Sequence, residues 1–216
     1  MRKIIILLKL ILRTKFVFKT PEKFDLIVFD DESIRDLNIC LSKFKFFTLQ
    51  TRIEERGEDR KYTDVHKIYL SYKILKQIIR NFRKGNLFTV YLISLIELVN
   101  PKVVITAIDF SFKFSEIAKI LDKKIIFIAI QGGFLLDLLQ WDRLYKTKKI
   151  KENLLEKFYI PNLFCWGDHE KETWQQYIKV KNFYEIGNLR LANFFHYIKS
   201  ENSSSEKYNC DICLVA

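Results

Sequence analysis

The stretch KVVITAIDFSFKFSEIAKILDKKIIFIAIQGG, residues 102–133, decides the fold of this chain. It contains two apolar runs, at 102–109 and 124–131, with a helical segment at 112–121 between them. Runs of this kind, apolar and without alternation, are typical of parallel strands that are buried on both faces of a sheet. Ser111 or Asp109 is a suitable cap for the helix, because a side-chain oxygen there can accept from a first-turn N–H. The stretch therefore predicts a β-α-β unit.

The same alternation continues through most of the chain. Strands are predicted at residues 25–31, 46–52, 102–109, 124–131, 163–167 and 182–187. Helices are predicted at residues 34–44, 65–82, 87–99, 112–121, 168–177 and 191–198, and residues 141–158 are mostly helical. The charged residues 52–64 form a surface loop. Alternating strands and helices with short crossovers predict an α/β fold, a Rossmann-like open parallel sheet with helices on both faces.

The organisation of the chain follows from this pattern and from two flanking segments. We expect a basic amphipathic segment at 1–23, the Rossmann-like domain at 24–198 and a polar linker at 199–209. The apolar run at 210–216 is interpreted as the first strand of a further domain. One main domain is consistent with a length of 216 residues, of which 49% are hydrophobic and 15% aromatic.

The net charge of +11 arises from lysines and arginines spread along the whole chain. Because no basic motif concentrates them, a nucleic-acid partner is not predicted. An anionic membrane surface, or a substrate that carries phosphates, fits the charge better.

The four cysteines do not predict a disulfide framework or a metal site. They are Cys40, Cys165, Cys210 and Cys213, and the last two form a lone C-x-x-C without a second pair to complete a zinc site. Small buried side chains in a reducing compartment are the simpler interpretation. No metal ligand cluster and no cofactor motif are found.

The N-terminal segment MRKIIILLKLILRTK, residues 1–15, carries an apolar run interrupted by Lys9. A transmembrane helix needs about 20 apolar residues, so this run is too short to span a bilayer. Two interpretations remain open. The segment is a short amphipathic helix on an anionic membrane surface, or it is an ordinary helix packed on the domain.

Polar residues and glycines follow the predicted strands. In open parallel sheets, ligands bind outside the carboxyl ends of the strands, near the point where the strand order reverses. We therefore expect these residues to meet at one edge of the sheet. The candidate catalytic residues are Asp109 and His169, and the candidate substrate-binding residues are Asp30, Asp31, Gln131, Gly132, Gly133, Gly167, Asp168, Gly187, Asn188 and Arg190.

Several of these residues also have simpler explanations. Gly132 and Gly133 let a ligand approach the main chain, with Gln131 to bond sugar hydroxyls, or they only make a tight turn. Arg190 at a helix start suits a phosphate or carboxylate but is equally common as an exposed side chain. His169 is a general base or merely part of a helix cap. The fingerprints of dinucleotide-binding, P-loop, serine-hydrolase and zincin proteins are missing.

The ordered series PKVVITAID, FIAIQGG, LFCWGDHEKE, FYEIGNLRLANFF and CDICLVA resembles the surface carbohydrate biosynthesis proteins of bacteria. Those proteins look like GT-B glycosyltransferases and are distantly similar to Kdo transferases and CDP-glycerol glycerophosphotransferases. The resemblance covers residues 25–216. Relatives often have Asn-Gly after the glutamine and Gly-Ser-Leu-Arg later on, where this chain has Gly132-Gly133 and Gly187-Asn188-Leu189-Arg190.

The resemblance implies two Rossmann-like halves with the active site between them. Its N-terminal half would make most acceptor contacts, through Asp109, Gln131 and His169, with Arg190 for an anionic group. A sugar would pass from a nucleotide-sugar donor, with a CMP-linked sugar as one candidate, to a glycan or lipid-linked acceptor, and this half would be inactive alone. The expected location is cytoplasmic, peripheral on the inner face of the membrane. The alternative function is a non-catalytic module that binds a sugar, a nucleotide or a membrane surface.

Overall fold

The computed structural model describes residues 14–51, 66–109, 111–133, 158–175 and 178–201. Its strands are β1 (Thr14–Val17), β2 (Leu26–Phe29), β3 (Phe46–Leu49), β4 (His66–Tyr69), β5 (Val103–Thr106), β6 (Ile126–Ile130), β7 (Tyr159–Cys165) and β8 (Lys179–Glu185). Its helices are α1 (Glu32–Leu41), α2 (Tyr72–Asn81), α3 (Leu87–Val99), α4 (Phe112–Leu121), α5 (Asp168–Gln175) and α6 (Leu189–Glu201), with a 3₁₀ turn at Phe82–Lys84. The predicted helix at 87–99 has the observed bounds.

The main sheet has the strand order β3-β2-β5-β6-β7-β8, and every neighbouring pair is parallel. Along the sequence, β3 is added on one side of β2, and β5 to β8 are then added in order on its other side. The strand order therefore reverses between β2 and β5, which is where ligands bind in sheets of this kind. The predicted Rossmann-like open parallel sheet is confirmed.

Helices cover both faces of this sheet, as predicted. Along β2, Ile27 and Phe29 join the large core beneath α3 and α4, whereas Val28 joins the small core beneath α1. This alternation follows from the two-residue period of a strand. Because both faces are buried, the strand sequence is apolar at every position, which explains the runs that predicted it.

Polar residues fix the helix boundaries. Of the two candidate caps, Ser111 and Asp109, the cap is Ser111, because its hydroxyl accepts from the Phe114 N–H at 3.2 Å. Asn86 accepts from the Thr89 N–H at 3.0 Å at the start of α3. At the other end Asn100 adopts a left-handed conformation with φ 56°, immediately before Pro101. Caps of this kind satisfy backbone groups that a helix end leaves unpaired.

The prediction of one helix over residues 65–82 is wrong in its first part. Residues 66–69 form β4, which pairs in parallel with β1, and α2 begins only at Tyr72 after its cap, Ser71. The partner strand lies some fifty residues earlier in the sequence, and no local pattern reports such a pairing. As a result, part of the predicted amphipathic segment 1–23 is strand β1, whereas residues 1–13 lie outside the described residues.

Other boundaries also differ from the prediction. Strand β7 begins at Tyr159 and includes the buried Pro161, although a proline usually argues against a central strand. Helix α6 continues to Glu201, so the first residues of the predicted linker 199–209 are helical. Residues 52–64, 141–157, 202–209 and 210–216 lie outside the described part of the chain.

Candidate functional site at the carboxyl edge of the sheet

The predicted site residues follow the carboxyl ends of five of the six parallel strands. Asp30 and Asp31 follow β2, Asp109 follows β5, and Gln131 follows β6. Gly167 and Asp168 follow β7, and Gly187, Asn188 and Arg190 follow β8. Because every strand points the same way, all of these residues lie at one edge of the sheet.

Three of these residues meet near the centre of the edge. The Gly132 backbone N–H donates to Asp109 Oδ2 at 3.2 Å. Arg190 Nη2 lies 3.6 Å from the position that a Cβ atom on Gly132 would occupy. Residues that follow β5, β6 and β8 therefore form one cluster, which we call the rim cluster.

Glycine is required at position 132 because of the protein's own backbone. A Cβ atom there would lie far inside the contact distance of the Ala107 carbonyl oxygen, which follows β5. Gly133 is different, because a Cβ atom there meets nothing within 4 Å and the residue is exposed. Gly132 thus brings the ends of β5 and β6 together, and Gly133 leaves open space beside them.

The Gln131 side chain bonds the protein at both ends of its amide. Its Oε1 accepts from the Trp166 backbone N–H at 3.0 Å, and its Nε2 donates to the Gly133 carbonyl at 3.2 Å. The Trp166 indole N–H in turn donates to the Gln131 carbonyl at 3.2 Å. Gln131 is only 1% exposed. The amide joins the ends of β6 and β7, and a sugar hydroxyl would have to displace one of these bonds.

Arg190 is engaged by an aspartate that the sequence analysis did not find. Its Nε and Nη2 donate to Asp36 Oδ2 at 2.9 and 2.7 Å, and Asn193 donates to the Asp36 carbonyl at 2.7 Å. The Asp36 side chain is 10% exposed, against 50% for Arg190. The pair ties α6 to α1. Asp36 sits in the middle of a helix, where no motif distinguishes it from a surface acid.

Buried hydroxyls fill the crevice where the strand order reverses. Ser33 Oγ donates to the Phe29 carbonyl at 3.2 Å, accepts from the Ala107 N–H at 3.0 Å, and lies 3.2 Å from Thr106 Oγ1. Both hydroxyl residues are at most 1% exposed. In the sequence, the feature that could have indicated these buried hydroxyls was a single threonine, Thr106, at the end of an apolar strand. These bonds fix the ends of β2 and β5 beneath the rim.

Asp30 holds an unusual backbone conformation beside that crevice. Its φ is 76°, its N–H donates to the Leu49 carbonyl at 2.9 Å, and its Oδ2 accepts from Thr51 Oγ1 at 2.7 Å. Aspartate adopts the left-handed region more readily than most residues because its short side chain can bond locally. Asp30 is buried, so its bonds to Leu49 and Thr51 hold the carboxyl edge of the sheet in place from inside the protein.

The outer half of the edge is more exposed. Asp168 begins α5 and hydrogen-bonds to Glu185, and this bond raises the pKa of the Glu185 carboxyl. His169 is exposed on the same helix. Neighbouring strands are about 4.8 Å apart, so the ends of β5 and β7 are separated by roughly 10 Å. His169 and Asp109 therefore follow strands that are not neighbours in the sheet.

The last two strand-end residues shape the start of α6. Gly187 has φ +74°, a left-handed conformation that suits glycine. Asn188 Oδ1 accepts from the Leu191 N–H at 3.1 Å. The first turn of the helix is thus capped by the chain's own amide.

One cavity lies beside the edge strand β3, next to strands β1 and β4. Its volume is about 490 Å³, within the range of small-molecule sites. It is lined by Lys15, Asp31, Ile34, Phe46, Phe47, Thr48, Leu49, Gln50, Lys67, Tyr69, Tyr91, Leu92 and Leu95. Asp31 is the one predicted site residue in this lining, and no residue of the rim cluster lines the cavity.

The described residues contain no group of three or more His, Cys, Asp or Glu side chains placed to hold a metal ion. The described helices are at most 13 residues long, and none has the length and apolar character to cross a bilayer. In comparisons with protein-family models, curated proteins and solved structures, nothing matched this chain.

Proposed function

We propose that this chain forms the acceptor-binding part of a glycosyltransferase-like protein of surface polysaccharide synthesis. One observation carries the proposal. The Asp109 carboxylate is held by the Gly132 N–H at the carboxyl edge of a parallel sheet, next to the reversal of strand order. Carboxylates are strong acceptors for sugar hydroxyls, and this position is the usual ligand position of such sheets.

Asp109 is the candidate base in this proposal. The acceptor hydroxyl oxygen would bond to the anomeric carbon of the donor sugar while its proton passes to Asp109. The bond from that carbon to the donor phosphate would break, and its electron pair would leave on the phosphate. The donor is a nucleotide sugar, with a CMP-linked sugar as one candidate, and the acceptor is a glycan or lipid-linked glycan. Arg190 could bind the phosphate only in competition with Asp36.

Binding measured by NMR spectroscopy tests this proposal without requiring turnover. The protein would be titrated with oligosaccharide acceptors and with CMP-, UDP- and CDP-linked donors. We expect an acceptor to shift the backbone signals of Asp109 and Gly132, and Asp109→Asn to weaken binding about tenfold or more. Asp25→Asn is the matched control, because Asp25 is an exposed aspartate that precedes β2 at the opposite edge. Equal effects of both variants would reject the site.

A non-catalytic sugar- or nucleotide-binding module is the second candidate. It is favoured by the bonds that engage Gln131, Asn188 and Arg190 within the protein, because these side chains are less available for chemistry. The titration separates the two candidates when it is combined with a product assay. Acceptor binding that does not depend on Asp109, with no transfer, would favour the module.

We also propose that the protein works at the inner face of a membrane. The predicted contact through residues 1–15 remains a proposal, since residues 1–13 lie outside the described residues. Thr14 and Lys15 belong to β1 and pair with β4. A deletion that tests this contact should therefore end at residue 13. Weaker sedimentation with anionic liposomes is the expected result, and unchanged sedimentation would contradict it.

A further inference from the structure

Helix α2 has an inner side that packs on the protein and an outer side that carries large exposed apolar residues. Ile74 is fully buried, and Asn81 Nδ2 donates to Ser94 Oγ of α3 at 3.2 Å. On the outer side, side chains that are 51–79% exposed recur at intervals of three and four residues. They are Tyr72, Leu75, Ile79 and Phe82. At 3.6 residues per turn these positions form one continuous stripe.

Positive charge lies beside this stripe. Residues 72–84 contain five cations and no acidic residue. The cations are Lys73, Lys76, Arg80, Arg83 and Lys84. Lys84 pairs with Glu97 of α3 at 3.1 Å, which turns it towards the protein. By helical periodicity, Lys73, Lys76 and Arg80 lie between the stripe and the packed side of α2, along one flank of the stripe.

The surface extends beyond α2 at its N-terminal end. The Leu70 N–H donates to the Val17 carbonyl at 2.8 Å, and Thr20 Oγ1 donates to Ser71 Oγ at 3.1 Å. These bonds hold Phe18, which is 74% exposed, next to the start of the helix. Lys19 follows it in the sequence and is also exposed.

We propose that the outer side of α2 docks on the surface of an anionic lipid bilayer. The apolar stripe would enter the boundary between headgroups and acyl chains, and the cations on its flank would face the lipid phosphates. The charge selects this occupant. An apolar protein partner would not require Lys73, Lys76 and Arg80 beside the stripe without a single acid in residues 72–84, whereas an anionic lipid surface attracts each of these three cations. This inference does not depend on glycosyl transfer.

Vesicle sedimentation tests the proposal. The protein would be mixed with vesicles of pure phosphatidylcholine and with vesicles that also contain phosphatidylglycerol. We expect binding to the phosphatidylglycerol vesicles that weakens as salt is raised. The double variant Leu75→Asp, Ile79→Asp should reduce binding about tenfold or more, and Lys76→Gln with Arg80→Gln about tenfold. Both sets of side chains are exposed, so thermal unfolding should remain close to that of the wild type.

The matched control is Leu191→Asp with Phe195→Asp on α6. These residues are 46% and 48% exposed, and the control changes the net charge by the same amount as the first variant. We expect it to bind like the wild type. Unchanged binding of the α2 variant would overturn the proposal and place the contact elsewhere, for example in residues 1–13. Equal binding to both kinds of vesicle, or a solution dimer that only the α2 variant dissociates, would also overturn it. Failure of acceptor binding to Asp109 would leave it standing.

Discussion

The two faces of the main sheet are covered in different ways. On one face, α3, α4 and α5 enclose a continuous apolar core in which Phe114 packs edge-on against Phe29 and Phe127, at centroid distances of 5.4 and 5.5 Å. On the other face, the described cover consists of α1 and α6 over a much smaller core. There the helices are joined by polar bonds, with Arg190 and Asn193 of α6 both bonded to Asp36 of α1.

This difference separates stability from the candidate site. Burial of a large apolar surface stabilises the first face, and no predicted site residue belongs to that core. Arg190 of the rim cluster belongs to α6, which covers the second face, and it reaches Gly132 across the strand ends. A site that binds ligands benefits from a thinner and more polar cover. The comparison predicts that substitutions of equal size will have unequal effects on the two faces.

The largest effect is expected from a matched pair of leucines. Leu121 and Leu41 are the final residues of α4 and α1, two helices of 10 residues on opposite faces, and they are 3% and 7% exposed. Leu121→Ala should lower the free energy of unfolding by about 3–5 kcal/mol and Leu41→Ala by about 2–3 kcal/mol, because the larger core relaxes less around a cavity. Chemical denaturation measures both. A larger loss for Leu41→Ala would break the comparison.

The next effect concerns the two neighbouring glycines. Gly132→Ala should destabilise the protein by about 1–3 kcal/mol, because the added Cβ must push against the Ala107 carbonyl. Gly133→Ala, with open space around the Cβ, should change the free energy of unfolding by less than about 0.5 kcal/mol. Thermal and urea unfolding of both variants check this prediction. Similar losses at the two positions would show that the close approach does not matter.

A smaller effect is expected at the polar contact between α1 and α6. Arg190→Gln should cost about 1–2 kcal/mol, because the largely buried Asp36 carboxylate would lose its charged donor. Arg35 also lies near Asp36, at 3.6 Å from Oδ1, but its side chain is 71% exposed. Arg35→Gln should therefore cost less than about 0.5 kcal/mol. Urea unfolding distinguishes the two, and equal costs would mean that α6 is not held by this pair.

The smallest expected effect is a pH dependence of the free energy of unfolding. It arises at Glu97 of α3, one of the helices that cover the first face. Burial tends to raise the pKa of Glu97, but hydrogen bonds from Asn81, Gln77 and Lys84 outweigh it and lower the pKa. A lowered pKa in the folded state stabilises the protein above the pKa of the unfolded state, which is about 4.3. That contribution should disappear as the pH falls through the folded pKa. The stability difference between wild type and Glu97→Gln should thus shrink on acidification, and a difference that grows instead would contradict the assignment.

The sequence predicted what depends on local patterns. Helix 87–99 and the cap at Ser111 were predicted correctly, because side-chain spacing and capping act over a few residues. The common edge of Asp109, Gly132 and Arg190 followed from strand direction. Strand β4 was missed because its pairing with β1 joins distant parts of the chain. Asp36 and Ser33 were missed for the same reason, since their roles come from partners that lie 154 and 73 positions away.

Among the strands that the structure describes, β8 forms one edge of the main sheet, where its outer backbone groups could pair with another chain. Its sequence, KVKNFYE, places exposed lysines at 179 and 181 and an exposed glutamate at 185 along that border. An incoming strand would have to desolvate these charges. These charges therefore oppose the pairing of another strand with this edge.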